Sequence, residues 1–240
     1  MLFAACRTDA LLPCENEGPV GEICREYRYS DDDAIGFAEF EYEPDILTTK
    51  NIYDQHSNLI KTIIEHFEDG KTVIIAEQYP DKESIVQSWH YGDNDSIRQI
   101  YFGGIDSLIE YAYENGKRLR DEYFHDGELD RWTSYRYYQD DGKLYRKTFY
   151  NAEDSLLRYE NYQYFSNGQN RVTYYTPSHQ ITGRRVVRFS QLGLITSNEF
   201  TNADGVVTQN ENYIYDVAGK LVERHALNFD QSTKSVYLYY

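Results

Sequence analysis

Some carboxylates in this sequence are spaced so that two of them share one face of a strand, and such a pair could act as a catalytic acid and base. Glu39 and Glu41 form one such pair, and Glu128 and Asp130 form another. Two carboxylates about 5–9 Å apart across a cleft can hydrolyse a glycosidic bond. Nothing in the sequence marks a cleft at either pair, and a chain with 40 acidic residues produces such pairs by chance. We therefore predict that the protein is not an enzyme.

Histidines, serines and aspartate runs offer no clearer reactive centre. The histidines, at 56, 66, 90, 125, 179 and 225, lack the HxH and HExxH spacings of zinc sites. The serines lack the G-x-S-x-G elbow of hydrolases. The runs 31–33 and 93–95 offer oxygen ligands, but neither has the spacing of a calcium-binding loop. We expect no catalytic residue, no metal and no cofactor.

Charge is the more informative property. The net charge is −16, and phosphate backbones are bound by clustered Lys and Arg, so we expect no nucleic-acid partner. Residues 161–198 nevertheless contain no acid, while Arg171, Arg184 and Arg188 lie there. Strand alternation places Arg184 and Arg188 on one face and Arg185 on the other. The shared face is a candidate docking site for an acidic polysaccharide or the acidic strands of another copy. The alternative is pairing with neighbouring carboxylates.

Two tryptophans complete the candidate binding residues. Trp89 and Trp132 could stack on sugar rings, and aromatic residues are favoured at interfaces. The alternative is that both pack across strands. The predicted partner is accordingly a protein or glycan ligand.

The elements that must position these residues follow from an aromatic rhythm. From Tyr29 to Phe229 an aromatic residue returns every 10 to 15 positions, which fits one strand and a tight turn. Hairpin turns of two residues are predicted where Asn-Gly or Asp-Gly pairs supply positive φ. These pairs stand at 69–70, 115–116, 126–127, 141–142, 167–168 and 204–205.

Strand faces of mixed character indicate how the hairpins are arranged. In 73–79 one face carries Val73, Ile75, Glu77 and Tyr79, so it is not purely apolar. The mean hydropathy of −0.73 and the 25 tyrosines agree with strands that are only half buried. We predict an all-β chain: a tether over 1–25, then an extended antiparallel meander of β-hairpin repeats over 26–240, forming a single curled or twisted sheet.

The repeated motif itself has family resemblances. Residues 213–221, YIYDVAGKL, and more loosely 52–60, IYDQHSNLI, resemble the YD repeats of RHS proteins, which are secreted or surface proteins built of β-hairpins. Residues 113–117 and 138–144 resemble the MORN-type repeats of bacterial proteins often labelled antitoxins. In this motif the glycine would serve the turn, the aspartate would cap it, and the tyrosine would stack on the next strand.

The N-terminus suggests export. The first six residues, MLFAAC, resemble a bacterial lipobox, which implies a truncated signal peptide and a lipid on Cys6. Membrane association would then come only from that anchor. Cys14 and Cys24 remain as an even pair, and we predict a disulfide between them. The alternatives are three reduced thiols or a three-cysteine metal site.

These observations favour a non-enzymatic lipoprotein of the bacterial cell envelope, with YD/RHS-like repeats that serve as a binding or surface scaffold module. The alternative is an antitoxin or immunity-type protein that neutralises a basic toxin, which the MORN-like resemblance and the charge of −16 would allow.

Overall fold

The computed structural model describes residues 22–30, 33–43, 47–69, 71–91, 97–103, 107–228 and 231–239. Every regular element in these ranges is a β-strand, as the aromatic rhythm predicts. The strands are β1 (Ile23–Ser30), β2 (Asp33–Glu43), β3 (Leu47–Asp54), β4 (Leu59–Glu68), β5 (Lys71–Tyr79), β6 (Lys82–Tyr91), β7 (Ile97–Gly103), β8 (Ser107–Glu114), β9 (Lys117–His125), β10 (Glu128–Tyr137), β11 (Leu144–Asn151), β12 (Leu156–Phe165), β13 (Gln169–Tyr175), β14 (Ile181–Phe189), β15 (Ile195–Asn202), β16 (Val207–Tyr215), β17 (Leu221–Asn228) and β18 (Gln231–Tyr239).

The strands form one antiparallel sheet that closes into a barrel. Each strand pairs with its neighbours in the chain, and β18 pairs with β1, where Val236 lies opposite Tyr27. The predicted all-β meander of hairpins is confirmed, but the sheet closes into a barrel where the sequence predicts an extended, curled or twisted sheet. Closure removes the two edges of unpaired N–H and C=O groups that an open sheet would leave. It depends on accumulated twist and strand number, which no single hairpin encodes.

The predicted two-residue turns occur at some of the glycine pairs. At 115–116 and 126–127 both residues have positive φ, between 51° and 77°, so the two-residue prediction is confirmed there. At three other pairs only the glycine has positive φ and a longer loop forms, so the prediction is wrong at 141–142, 167–168 and 204–205. The pair at 69–70 lies partly outside the described residues.

Longer turns share a design in which the first side chain caps the loop. Asp216 Oδ1 accepts hydrogen bonds of 2.9 Å from the backbone N–H groups of both Ala218 and Lys220. Gly219 closes the loop with φ of 83°. The same backbone pattern recurs in loops that begin at residues 54, 151, 176, 190 and 202. The capping role predicted for the motif aspartate is therefore confirmed at Asp216.

Side chains along each strand alternate between two walls of the barrel. Following the register around the ring places Ala38, Asp121 and Thr133 on the same wall. Ala38 and Asp121 are 0% exposed and Thr133 is 2% exposed. Ile74 and Ile214, on the opposite wall, are 40% and 46% exposed. A cylinder crowds side chains on its concave side, so the first set marks the inner wall.

The inner wall is lined by ion pairs and tyrosines. Glu26 pairs with Arg28 at 3.1 Å and with Lys50 at 2.9 Å, and Arg118 forms a two-pronged pair with Asp121. Every substantial contact of a described strand is with its ring neighbours. Barrels of this strand number enclose a lumen instead of a packed core. The side chains of each wall are therefore stabilised mainly by contacts with side chains of neighbouring strands on the same wall.

A clasp of lysine and tyrosine fastens hairpins at one rim. Tyr137 at the end of β10 donates a 2.7 Å hydrogen bond to the carbonyl of Arg118 at the start of β9, and Lys117 Nζ lies 5.3 Å from its ring centroid. Tyr239 bonds the start of β17 in the same way, with Lys220 Nζ 4.9 Å from its ring. The same tyrosine-to-carbonyl bond is made by Tyr42, Tyr91 and Tyr215.

The first strand begins at Ile23, slightly before the predicted domain boundary at residue 26. Cys24 is disulfide-bonded. Cys6 and Cys14 lie outside the described residues, so lipidation of Cys6 and pairing with Cys14 stay predictions. Within the ranges described, no helix is long and apolar enough to cross a membrane.

Candidate functional site

Three arginines that the sequence assigns to one face lie together on the outer wall. Arg171 on β13 is opposite Val186 on β14, which places it between Arg184 and Arg188. Diagonal neighbours across an antiparallel pair are about 7–8 Å apart. The three guanidinium groups can therefore contact one ligand.

The neighbouring Arg185 points to the inner wall, as strand alternation predicts. Its Nε donates a 2.8 Å hydrogen bond to Asn198 Oδ1, and its guanidinium lies 5.3 Å from the ring centroid of Phe200. Arg185 is thus fixed by inner-wall packing and does not contribute to the outer cluster.

The outer-wall arginines differ in the ion pairs and hydrogen bonds that the protein provides for their guanidinium groups. Arg188 lies 3.9 Å from a carboxylate oxygen of Glu199 and donates to Ser197 Oγ at 3.2 Å. Arg171 lies 5.1 Å from the ring centroid of Phe165. Among the described residues, no carboxylate pairs with Arg171 or Arg184. The alternative of simple pairing with adjacent carboxylates therefore describes Arg188 alone.

Two further arginines extend this cluster, and sequence reasoning missed them. Arg136 on β10 lies directly opposite Arg146 on β11, on the outer wall. The register continues from Arg146 through Asn161 and Thr173 to Arg184. The acid-free window begins at residue 161 and so excluded both. The basic surface consists of Arg136, Arg146, Arg171, Arg184 and Arg188.

Arg136 and Arg146, which lie opposite each other in the basic surface, make an unfavourable contribution to folding stability when considered by themselves. Like charges directly opposite each other across two strands destabilise a sheet. Arg146 is partly satisfied by Asn161 Oδ1 at 2.8 Å and lies 4.8 Å from the ring centroid of Tyr159. Arg136 is exposed, and none of the described residues forms an ion pair with it. An anion between them would relieve this repulsion.

Trp132 shares the outer wall but is already packed on both faces. Tyr150 stacks on it at a centroid distance of 4.0 Å, and Arg120 covers it at 4.1 Å. Its indole N–H donates a 2.9 Å hydrogen bond to Asp154 Oδ1. This geometry agrees with the alternative, in which Trp132 packs across strands. A role for Trp132 in ligand binding stays a prediction.

Trp89 lies apart from all of these residues. It faces the inner wall on β6, opposite Ile100 on β7. Its buried indole nitrogen has no hydrogen-bond partner among the described residues. The structure therefore does not bring Trp89, Trp132 and the arginines into one site.

The carboxylate pairs are also separated or satisfied. Glu39, on the outer wall, pairs with Arg25. A β-bulge between Leu129 and Arg131 takes Asp130 out of the alternation it would share with Glu128. No group of three potential metal ligands occurs within the described ranges, and the aspartate runs at 31–33 and 93–95 fall wholly or partly outside them.

Comparisons with known proteins give structural likenesses only. No protein-family model and no curated protein matches the chain. A porin-like protein from Bacteroides uniformis aligns over 92% of this chain and 98% of its own, with 10% identity and a TM-score of 0.49. A Bacteroides fragilis protein of unknown function aligns over 39% of this chain and 78% of its own, with 18% identity and a TM-score of 0.31.

A third likeness is to a much larger assembly. The structure titled TcdB2-TccC3-Cdc42 aligns over 87% of this chain but only 16% of its own, with 12% identity and a TM-score of 0.36. At this level none of the likenesses assigns a function. The YD, RHS and MORN resemblances stay predictions.

Proposed function

We propose that this protein is a non-enzymatic binding module of the bacterial cell envelope, and that its basic surface holds an anionic partner. The observation that carries the proposal is the set of outer-wall guanidinium groups without carboxylate partners among the described residues, at Arg136, Arg171 and Arg184. Charge-assisted hydrogen bonds to an anion would satisfy these donors.

The surrounding charge makes such a surface selective. The chain carries −16 overall, so its net charge repels an extended polyanion, while the basic surface attracts it locally. Glu199 borders the basic surface beside Arg188 and limits it on that side. A partner that presents spaced carboxylates or sulfates, such as an acidic polysaccharide, fits this arrangement.

We place the barrel in water, held at the envelope by a lipid on Cys6. Charged side chains lie near the middle of strands on both walls, for example Arg184 and Glu199 outside and Glu26 and Arg185 inside. On a lipid-facing barrel wall, an arginine near the bilayer midplane costs about 2–4 kcal/mol. Tethering outside the bilayer avoids that cost.

Dextran sulfate, with uncharged dextran as the ligand control, tests the proposal. Wild type should bind dextran sulfate and ignore dextran. The double variant Arg184→Glu, Arg188→Glu should bind at least about tenfold more weakly, because loss of charged hydrogen bonds costs about 1.5–3 kcal/mol. Lys61→Glu with Lys82→Glu changes the net charge equally on β4 and β6, away from the strands of the basic surface, and should bind like wild type. Equal binding by all three proteins would refute the assignment.

The antitoxin alternative predicts a different behaviour. A toxin-neutralising protein would use acidic residues against a basic partner, and the basic surface would then be irrelevant to binding. A gene for a small basic protein next to this one, and binding of its product that survives the arginine substitutions, would favour that alternative.

A further inference from the structure

A groove lies apart from the basic surface, at the rim where β8, β9 and β10 meet, and residues of both walls line it, Leu108 and Phe124 among them. Its volume is about 330 Å³, and its lining includes Ser107, Ile109, Tyr123, His125, Asp130 and Arg131. This volume is at the lower end of the range for small-molecule sites. We propose that the groove binds an uncharged saccharide of one or two rings.

The sheet register builds the groove from three strands. Ser107 lies opposite His125, and Ile109 lies opposite Tyr123, between β8 and β9. On the other side of β9, Tyr123 lies opposite Arg131 of β10. Tyr123 and Ile109 therefore form a central apolar floor, with hydrogen-bonding groups at its borders.

The β-bulge in β10 brings a carboxylate to one border. Its extra residue is Asp130, between Leu129 and Arg131. Bulges redirect a side chain out of the regular alternation of a strand. Asp130 Oδ2 consequently accepts a 2.6 Å hydrogen bond from Arg131 Nη1, and the Arg131 guanidinium lies 4.7 Å from the ring centroid of Tyr123.

The opposite border carries a second hydrogen-bonded couple. Ser107 Oγ and His125 Nδ1 are 3.1 Å apart. Asp126 Oδ2 is 3.6 Å from His125 Nε2, which is beyond hydrogen-bonding distance, so the couple is assigned to binding and not to nucleophilic attack. The groove thus offers a hydroxyl, an imidazole, a carboxylate and a guanidinium around an apolar floor.

This combination matches the chemistry of a sugar ring. A pyranose has an apolar face of C–H groups and an edge of hydroxyls, each of which donates and accepts hydrogen bonds. Tyr123 and Ile109 suit the apolar face, while Asp130 accepts from hydroxyls and Arg131 donates to them. Because Asp130 and Arg131 neutralise each other, the groove favours an uncharged ligand over the polyanion proposed for the outer wall.

Amide chemical-shift mapping of the full chain tests the inference. The probes are methyl α-D-glucopyranoside, methyl β-D-galactopyranoside and N-acetyl-D-glucosamine, and cyclohexanol is the control for ring binding without hydroxyls. We expect saturable shifts at residues 107–109 and 123–131 with at least one sugar, unaffected by added salt. Absence of such shifts with all three sugars, or equal shifts with cyclohexanol, would overturn the inference.

Two variants complete the test. Asp130→Asn should weaken sugar binding about tenfold, since a charged hydrogen bond is lost. Asp204→Asn is the matched control, an exposed aspartate at the same rim on a distant hairpin, and should bind like wild type. If Asp130→Asn binds the sugar as tightly as Asp204→Asn does, the groove is not the site. Dextran sulfate binding should be the same in both variants, which separates this result from the proposed function.

Discussion

Ser235 Oγ donates a 3.1 Å hydrogen bond to Glu26 Oε1, which joins the last strand of the barrel to the first. The same carboxylate accepts from Arg28 and from Lys50 on β3. Glu26 therefore connects β18, β1 and β3, and so spans the seam of the closed ring and the intervening strand β2. It is buried, so its charge depends on these partners.

Glu26→Gln should destabilise the protein by about 2–3 kcal/mol, because it leaves Lys50 and Arg28 without their buried counter-charge. Urea unfolding followed by circular dichroism measures this. Glu128→Gln, an exposed carboxylate on another strand, is the control and should change stability by less than about 0.5 kcal/mol. Equal stability of the two variants would mean that the seam does not depend on Glu26.

Low pH should lower the free energy of unfolding of the barrel, because it protonates carboxylates such as Glu26 and Glu211. Burial acts to raise the pKa of Glu26, but hydrogen bonds from Arg28 and Lys50 outweigh it, and the pKa is lowered. For Glu211 burial is likewise outweighed by Arg224, Asn198 and Tyr213, and the pKa is lowered. Both carboxylates bind protons more weakly when folded, so their stabilisation is complete above the unfolded pKa of about 4.3 and is lost as pH falls further.

The free energy of unfolding should accordingly be level from about pH 7 to pH 5 and should decline below about pH 4.3. Glu26→Gln should reduce the size of that decline. Urea titrations at a series of pH values give the measurement. A variant that loses as much stability in acid as the wild type would exclude Glu26 as a contributor.

If the tyrosine clasp stabilises its hairpin, removing the tyrosine hydrogen bond should lower the free energy of unfolding. Tyr137→Phe removes the hydrogen bond to the Arg118 carbonyl but keeps the ring beneath Lys117. Unfolding free energy should fall by about 0.5–1.5 kcal/mol. Tyr150→Phe keeps the stacking on Trp132, removes no hydrogen bond to a described residue, and should be close to neutral. A neutral Tyr137→Phe would show that water replaces the clasp without loss.

The two-residue turn at 115–116 makes a further prediction. Gly116 has φ of 72° with open space around its Cα, so a substitution there tests backbone conformation alone. Gly116→Val should destabilise by about 1–3 kcal/mol, because a β-branched residue resists positive φ. Ala76→Val places the same residue in a regularly paired part of a strand and should cost far less. Similar melting temperatures would contradict the turn geometry.

The strands could be predicted from the sequence because they are local. Aromatic spacing and the alternation predicted through 73–79 depend on neighbouring residues, and the structure reproduces both except at Val73, which a register shift takes out of the alternation. Closure of the ring could not be predicted, because it joins residues such as Ser235 and Glu26 that are 209 positions apart. The loop at 204–205 was not predicted, since capping by Asn202 at its start favours a longer turn than Asp-Gly alone implies. The loop at 141–142 runs from Tyr138 to Lys143, and its capping side chains, Asp140 and Asp141, lie within it.

The arrangement of the candidate binding residues was predictable to the same local extent. Arg184 and Arg188 were assigned to one face by alternation within one strand, and the register confirms this. Arg136 and Arg146 were not predicted to belong to the cluster, because they join it only through pairing across several strands. Asp130 could not be placed correctly because a bulge has no reliable signature in a single sequence.

The central claim is that an anionic partner binds the basic surface of the outer wall, and amide chemical-shift mapping tests it most directly. A short dextran sulfate, titrated into the isotopically labelled protein at low salt, should perturb amides at 136, 146, 171, 184 and 188 together. The shifts should disappear as salt rises, because exposed charges are screened beyond about 8 Å at physiological ionic strength. Shifts confined to other residues, or undiminished by salt, would contradict the account.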